Sequence, residues 1–164
     1  MSDPWEDRIV QFWLNVDMND EAATLGAMRT LVDERPGDDP AALYEWASVH
    51  DALGRELEAI PLYEQAISFG LDEIRLPQAQ IQLASSLRNV GKPLAAIEIL
   101  ESMEPSETTG HAREAFLALA LWSAGEPNVA LRVALIALGD TLPRYRASVE
   151  RYAADLERAR GEGS

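Results

Sequence analysis

His50 and His111 are the only histidines in the chain, and neither has a second histidine or a cysteine at metal-ligand spacing. Cysteine is absent altogether, which removes disulfides, thiolate ligands and thiolate nucleophiles together. His50 is expected to be a hydrogen-bonded packing residue. Asp17, Asn19 and Glu21 open like a calcium loop, but Ala22 stands where the sharp turn needs glycine, and Met28 where a bidentate glutamate is needed. Asn19 and Asp20 are expected to cap a helix instead. Val90-Gly91-Lys92-Pro93 lacks the spacing of a phosphate cradle, and no nucleophile elbow or dinucleotide fingerprint occurs. Carboxylates cluster at Asp38-Asp39, at Asp72-Glu73 and at Glu56 with Glu58, each without an accompanying base or nucleophile. Catalytic residues, a metal and a cofactor are therefore not expected, and neither is an enzyme.

The charge narrows the partners. In 164 residues, 28 acidic side chains face 14 basic ones, a net charge of −14 whose field repels nucleic acid backbones and anionic lipid surfaces. No apolar run reaches the roughly 20 residues needed to span a bilayer. The opening Met1-Ser2-Asp3-Pro4-Trp5-Glu6-Asp7 is acidic where a secretory leader would be basic and then apolar. A cytoplasmic protein without nucleic acid or membrane partners is expected. Lys92 is the sole lysine among the basic residues, a bias that fits a GC-rich genome.

The elements that would position any site are helical throughout. Apolar residues recur at 3.6-residue spacing, and no stretch alternates as a strand would. Asp3-Pro4, Asp39-Pro40 and Leu142-Pro143 place proline at first helical turns, with Asp3 and Asp39 as caps, while Pro36-Gly37 and Gly54 stop helices. Leu53-Gly54-Arg55, Val90-Gly91-Lys92 and Ala124-Gly125-Glu126 each separate two helices. Their glycines are 37 and 34 residues apart, close to the period of about 34 residues of a helix-turn-helix solenoid unit. Four units result, at about 4–37, 40–73, 77–110 and 111–144, followed by a capping helix at about 143–160, all in a single domain.

The small residues of these units carry a resemblance. Trp46-Ala47, Gly54, Ala59-Ile60, Tyr63 and Ala66-Ile67 in the second unit resemble the tetratricopeptide repeat family. So do Leu83-Ala84, Gly91 and Ala96-Ile97 in the third, and Leu117-Ala118, Gly125, Ala130-Leu131 and Ala137 in the fourth. The first unit departs, with Met18 for the turn glycine, Gln11 for the small residue of its first helix, and Thr24 and Thr30 in its second. A terminal repeat lacks one neighbour and tolerates such changes. The resemblance implies an all-α, right-handed α-α superhelix and a module that binds proteins or peptides.

The same resemblance implies that the first helix of each unit, helix A, lines a concave face. The partner-binding residues expected there are Arg8, Phe12, Tyr44, Ser48, Asp51, Gln82, Ser85, Arg88, Asn89 and Trp122. Tyr44, Phe116 and Trp122 could equally be core between repeats. Family members that clamp a terminal carboxylate use lysine and asparagine where this chain has Tyr44, Ser48, Ile81, Ser85, Ala115 and Leu119, so that mechanism is not expected. The helix around Ala115-Phe116-Leu117-Ala118-Leu119-Ala120-Leu121-Trp122 is apolar on every side. Phe116, Leu119 and Trp122 therefore need a cover: a second copy in a homodimer, or the C-terminal helix folded back with Tyr145, Tyr152 and Leu156. That last helix carries its stripe on Tyr145, Val149, Tyr152, Ala153, Leu156 and Ala159, and residues 161–164 are expected to fray. A protein or peptide partner and self-association are the expected function. The alternative is a ligand-regulated sensor or enzyme with a small-molecule pocket in the groove.

Overall fold

A computed structural model describes residues 3–158. Among them the chain forms helices α1 (Pro4–Asn15), α2 (Glu21–Val32), α3 (Pro40–Ala52), α4 (Glu56–Phe69), α5 (Arg75–Asn89), α6 (Pro93–Ser102), α7 (Ala112–Ser123), α8 (Pro127–Thr141) and α9 (Arg146–Arg158), with no strand among the described residues. The protein is all-α, built of helix-turn-helix pairs in which consecutive helices pack.

Local chemistry sets the boundaries. The Asp3 carboxylate accepts from Trp5 N–H, Asp39 from Ala42 N–H and Asp20 from Ala23 N–H, each satisfying an orphan donor of a first turn. Asn19 does not cap; its backbone and side-chain N–H groups both donate to the Asp17 carboxylate. Gly54, Gly91 and Gly125, the glycines that define the period, have φ of +71°, +82° and +84°. That conformation, which L side chains rarely adopt, lets the chain reverse between the helices of a pair in three residues. The last helix starts at Arg146 rather than at Pro143, because Tyr145 takes a left-handed φ of 71° and breaks the turn that the proline would have opened.

The chain divides into two compact units, one up to Ser86 and one from Leu87 onward. In the first unit, α1, α2 and α3 enclose Trp5, Ile9, Met28, Ala42 and Val49, with Phe12, Trp13, Leu25 and Trp46 packed around them. Trp5 Nε1 donates to the Leu31 carbonyl at 2.8 Å and joins α1 to α2. The departures in this first pair are absorbed locally. Met18 stays on the surface, and the buried Thr24 hydroxyl donates to the Asp17 carbonyl. The α3–α4 pair closes over Ala47, Ala59, Tyr63 and Ala66, all fully buried, so the small side chains stand where the two helices meet.

In the second unit, α6 packs on α7, α7 on α8 and α8 on α9. Ala96, Leu100, Leu117, Ala120 and Leu121 are buried there. The last helix buries Ala153 and lays Val149 against Gly139 of α8, whereas Tyr145 and Tyr152 point to solvent. Ala159 and residues 161–164 lie outside the described residues.

Candidate functional site

Two surfaces bring together residues singled out from the sequence, one in each unit. In the first unit, α3 and α5 are joined by a ladder of side-chain hydrogen bonds. The Tyr44 hydroxyl donates to Gln78 Oε1 at 3.3 Å and Ser48 Oγ to Gln82 Oε1 at 3.4 Å, both across 34 residues. Ser86 Oγ donates to Asp51 Oδ1 at 2.8 Å across 35. These separations fall two or three residues short of the 37 between Gly54 and Gly91, so each α3 side chain meets the α5 residue about one turn before its equivalent in the repeat. Tyr63 of α4 backs the ladder, its hydroxyl 3.4 Å from both Ser48 Oγ and Asp51 Oδ2. Its ring lies 6.1 Å from that of Tyr44. Burial pushes the Tyr44 hydroxyl up to about 12 and raises the Asp51 carboxyl above its ordinary value, against the lowering pull of the Ser86 bond.

Exposure separates these residues. Tyr44 and Ser48 are each only 7% exposed and meet neighbours rather than solvent. Asp51, Gln82 and Ser85 are half-buried, with the two α5 residues forming the accessible edge of the ladder. Arg8 is exposed and donates to Glu34 of the α2–α3 connection at 2.6 Å. Phe12 is half-buried edge-on against Trp13, and it lines a 340 Å³ recess between α1 and α2 with Asn15, Ala23 and Ala27. Arg88 and Asn89 belong to the last turn of α5, on the second unit's side of the division.

At the other end of the ladder lies a charged cluster that sequence reasoning missed. Arg75 at the start of α5 pairs with Glu6 of α1, with Asp72 at 2.8 Å and with Glu45 of α3 at 3.7 Å. Glu45 is buried and accepts from Trp13 Nε1 at 2.8 Å. Burial raises the Glu45 carboxyl, opposed by the Trp13 bond and the Arg75 charge, while its carboxylate partners raise the Arg75 guanidinium. Helices α1, α3 and α5, the first helices of three successive pairs, are tied together there. The available signal was a glutamate inside the otherwise apolar run of α3, 32 residues after Trp13. Asp72, one of the clustered carboxylates of the sequence, also caps α5 by accepting from Ile74 and Arg75 N–H.

His50 is buried and packs edge-on against Trp46 at 4.6 Å, over which Arg29 lies. Its packing role is as expected, but the expected hydrogen bond is missing at Nδ1, which has no partner. Burial and the Arg55 charge lower its proton affinity. Among the described residues no group of histidine, aspartate and glutamate could hold a metal, and no helix is long and apolar enough to cross a membrane.

The second surface is on α7. Leu117, Ala118, Ala120 and Leu121 face inward, while Ala115, Leu119 and Trp122 form one solvent-facing stripe flanked by the half-buried Phe116. Trp122 is 67% exposed and Leu119 46%. Of the two covers considered for this stripe, the C-terminal helix is not one: α9 packs on α8 with Tyr145 and Tyr152 turned to solvent.

A tetratrico peptide repeat family model matches residues 40–156. The chain belongs to the tetratricopeptide repeat family. The match begins at the first residue of α3 and omits the first helix pair, where Met18, Gln11, Thr24 and Thr30 leave the repeat pattern. No curated protein and no solved structure matches the chain. Tetratricopeptide repeats are, as a family, protein–protein interaction scaffolds, and the A-helix positions of the family are α3, α5 and α7 here.

Proposed function

We propose that this tetratricopeptide repeat protein is a non-catalytic interaction module that binds a peptide or protein partner on its A helices and associates with a second copy of itself through α7. The observation that carries it is the exposed apolar stripe of Leu119 and Trp122 with Phe116 beside it. A helix apolar on all sides is stable in water only when covered, and a symmetric dimer is the commonest cover for a small protein. Burying this stripe against its copy removes apolar area from water at about 25 cal/mol per Å².

Of the residues expected to meet a partner in the first unit, Arg8, Phe12, Asp51, Gln82 and Ser85 reach the surface, whereas Tyr44 and Ser48 are buried. Gln82 and Ser85 meet the partner directly. Ser48 holds Gln82 in place, and Tyr44 and Asp51 fix α5 on either side of it through Gln78 and Ser86. Arg88, Asn89 and Trp122 are the second unit's share. A half-exposed amide and hydroxyl on rigid helices suit the backbone of an extended peptide, which offers a donor and an acceptor at each residue. Affinity capture from native extract tests this. A stoichiometric protein held by wild type and lost from the Gln82→Ala, Ser85→Ala double variant is expected. A metabolite that stabilises the chain in a thermal-shift screen, with no protein captured, would instead favour a ligand-regulated sensor.

A further inference from the structure

The connection from α6 to α7, residues 103–111, is the longest between helices among the described residues, and long ordered connections are where binding residues concentrate. Between it, α7 and α8 lies a cavity of 630 Å³, within the range of roughly 300–1,000 Å³ typical of ligand pockets. The cavity belongs wholly to the second unit and shares neither the α3–α5 ladder nor the exposed stripe of α7. Its floor is aliphatic, with Leu117, Val133 and Ile136, and its rim carries the carboxylates of Glu107, Glu114 and Asp140.

The charges at the rim are unevenly committed. Arg113, the one guanidinium lining the cavity, donates from Nη1 to the Met103 carbonyl at 2.7 Å and lies 3.1 Å from Glu114. Asp140 pairs at 2.7 Å with Arg146, whose side chain is itself largely exposed. An exposed pair of that kind is worth little and is readily exchanged for another cation. Counting the lining residues with His111 neutral, three carboxylates face one guanidinium, so the cavity is net negative. The connection that borders the cavity, residues 103–111, adds Glu104 and contains no lysine or arginine.

We infer that this cavity is a docking site for an arginine or lysine side chain presented by an extended basic segment of a partner protein. The aliphatic floor matches the methylene stem of such a side chain, and the carboxylate rim matches its charged head. The net negative rim selects a basic side chain over an acidic or neutral one. A peptide rather than a free amine follows from the reading of the chain as a protein-binding module, and on that point the inference rests on it.

Fluorescence anisotropy of a labelled Gly-Leu-Arg-Leu-Gly peptide tests the inference, with citrulline in place of arginine as the neutral control. Binding of the arginine peptide alone is expected, weakened about tenfold or more by Glu107→Lys on the exposed connection and by Val133→Trp, which fills the cavity. Glu64→Lys, on the exposed side of α4, leaves it unchanged. Equal binding of the citrulline peptide, or equal weakening by Glu64→Lys and Glu107→Lys, would overturn it. If Val133→Trp fails to fold by circular dichroism, the comparison of Glu107→Lys with Glu64→Lys still decides. Free arginine amide binding as tightly as the peptide would also overturn it, by making the site a small-molecule pocket. Failure of the wider module assignment reads out separately, in affinity capture and in sedimentation of the Trp122→Ala variant, whose substitution lies outside the cavity.

Discussion

Helices α3 and α7 hold the same place in their repeats yet meet opposite fates. On α3, Tyr44, Ser48 and Asp51 are engaged by Gln78, Gln82 and Ser86 of the next A helix, and Glu45 by Arg75. On α7, Ala115, Leu119 and Trp122 remain at the surface because the element that follows α8 packs on α8 itself. The face of α3 is thus polar and satisfied by α5, whereas that of α7 is apolar and open. Substitutions on the α3 side should therefore be read out in folding, and those on α7 in association.

The largest effect is expected at Tyr63, which is fully buried beneath the ladder. Tyr63→Ala should lower the stability of the first unit by about 3–5 kcal/mol in urea unfolding, the range for truncating a buried aromatic. A loss below about 1 kcal/mol would mean that α4 does not support the ladder.

Next comes Arg75→Ala, which leaves the buried Glu45 carboxylate without its counter-charge. About 2–3 kcal/mol should be lost, less than for a fully buried pair because Glu6 and Asp72 are partly solvated. Adding Glu45→Gln to that variant should restore part of the loss, since the unpaired charge is then gone. Strictly additive losses would show that Glu45 and Arg75 are not coupled.

A smaller effect concerns pH. The Glu45 carboxyl is raised above the ordinary glutamate value of 4.5. From pH 4.5 up to that raised value the folded chain therefore holds a proton that the unfolded chain has released, and Glu45 makes stability fall as pH rises through this window. Glu45→Gln lacks that fall. The gap in urea midpoint between variant and wild type should widen from pH 4.5 to pH 7, in favour of the variant. A constant gap would contradict the assignment. Comparing the two proteins cancels the opposing slopes of groups such as Asp72, held low by its bonds from Arg75, and His50, whose neutral form is favoured.

The repeat was legible because backbone needs leave marks in residue type. Left-handed turns demanded Gly54, Gly91 and Gly125, and close helix approach demanded Ala59 and Ala96. The Arg75 cluster was not legible, since Glu6, Glu45 and Arg75 are distant in sequence and look like surface charges until the helices are paired. The start of α9 was missed for a local reason: Pro143 signals a helix, but the left-handed Tyr145 delays it. The exposure of α7 could be posed from its composition but not resolved, because the cover depends on where α9 packs. Tyr44 posed the same question on α3 and proved buried.

Sedimentation velocity on wild type and Trp122→Ala across micromolar concentrations tests the central contrast most directly. Wild type should sediment as a dimer and Trp122→Ala as a monomer, and the urea midpoint should depend on protein concentration in wild type but not in the variant. A wild type that is monomeric throughout, or a Trp122→Ala variant that stays dimeric, would contradict the account.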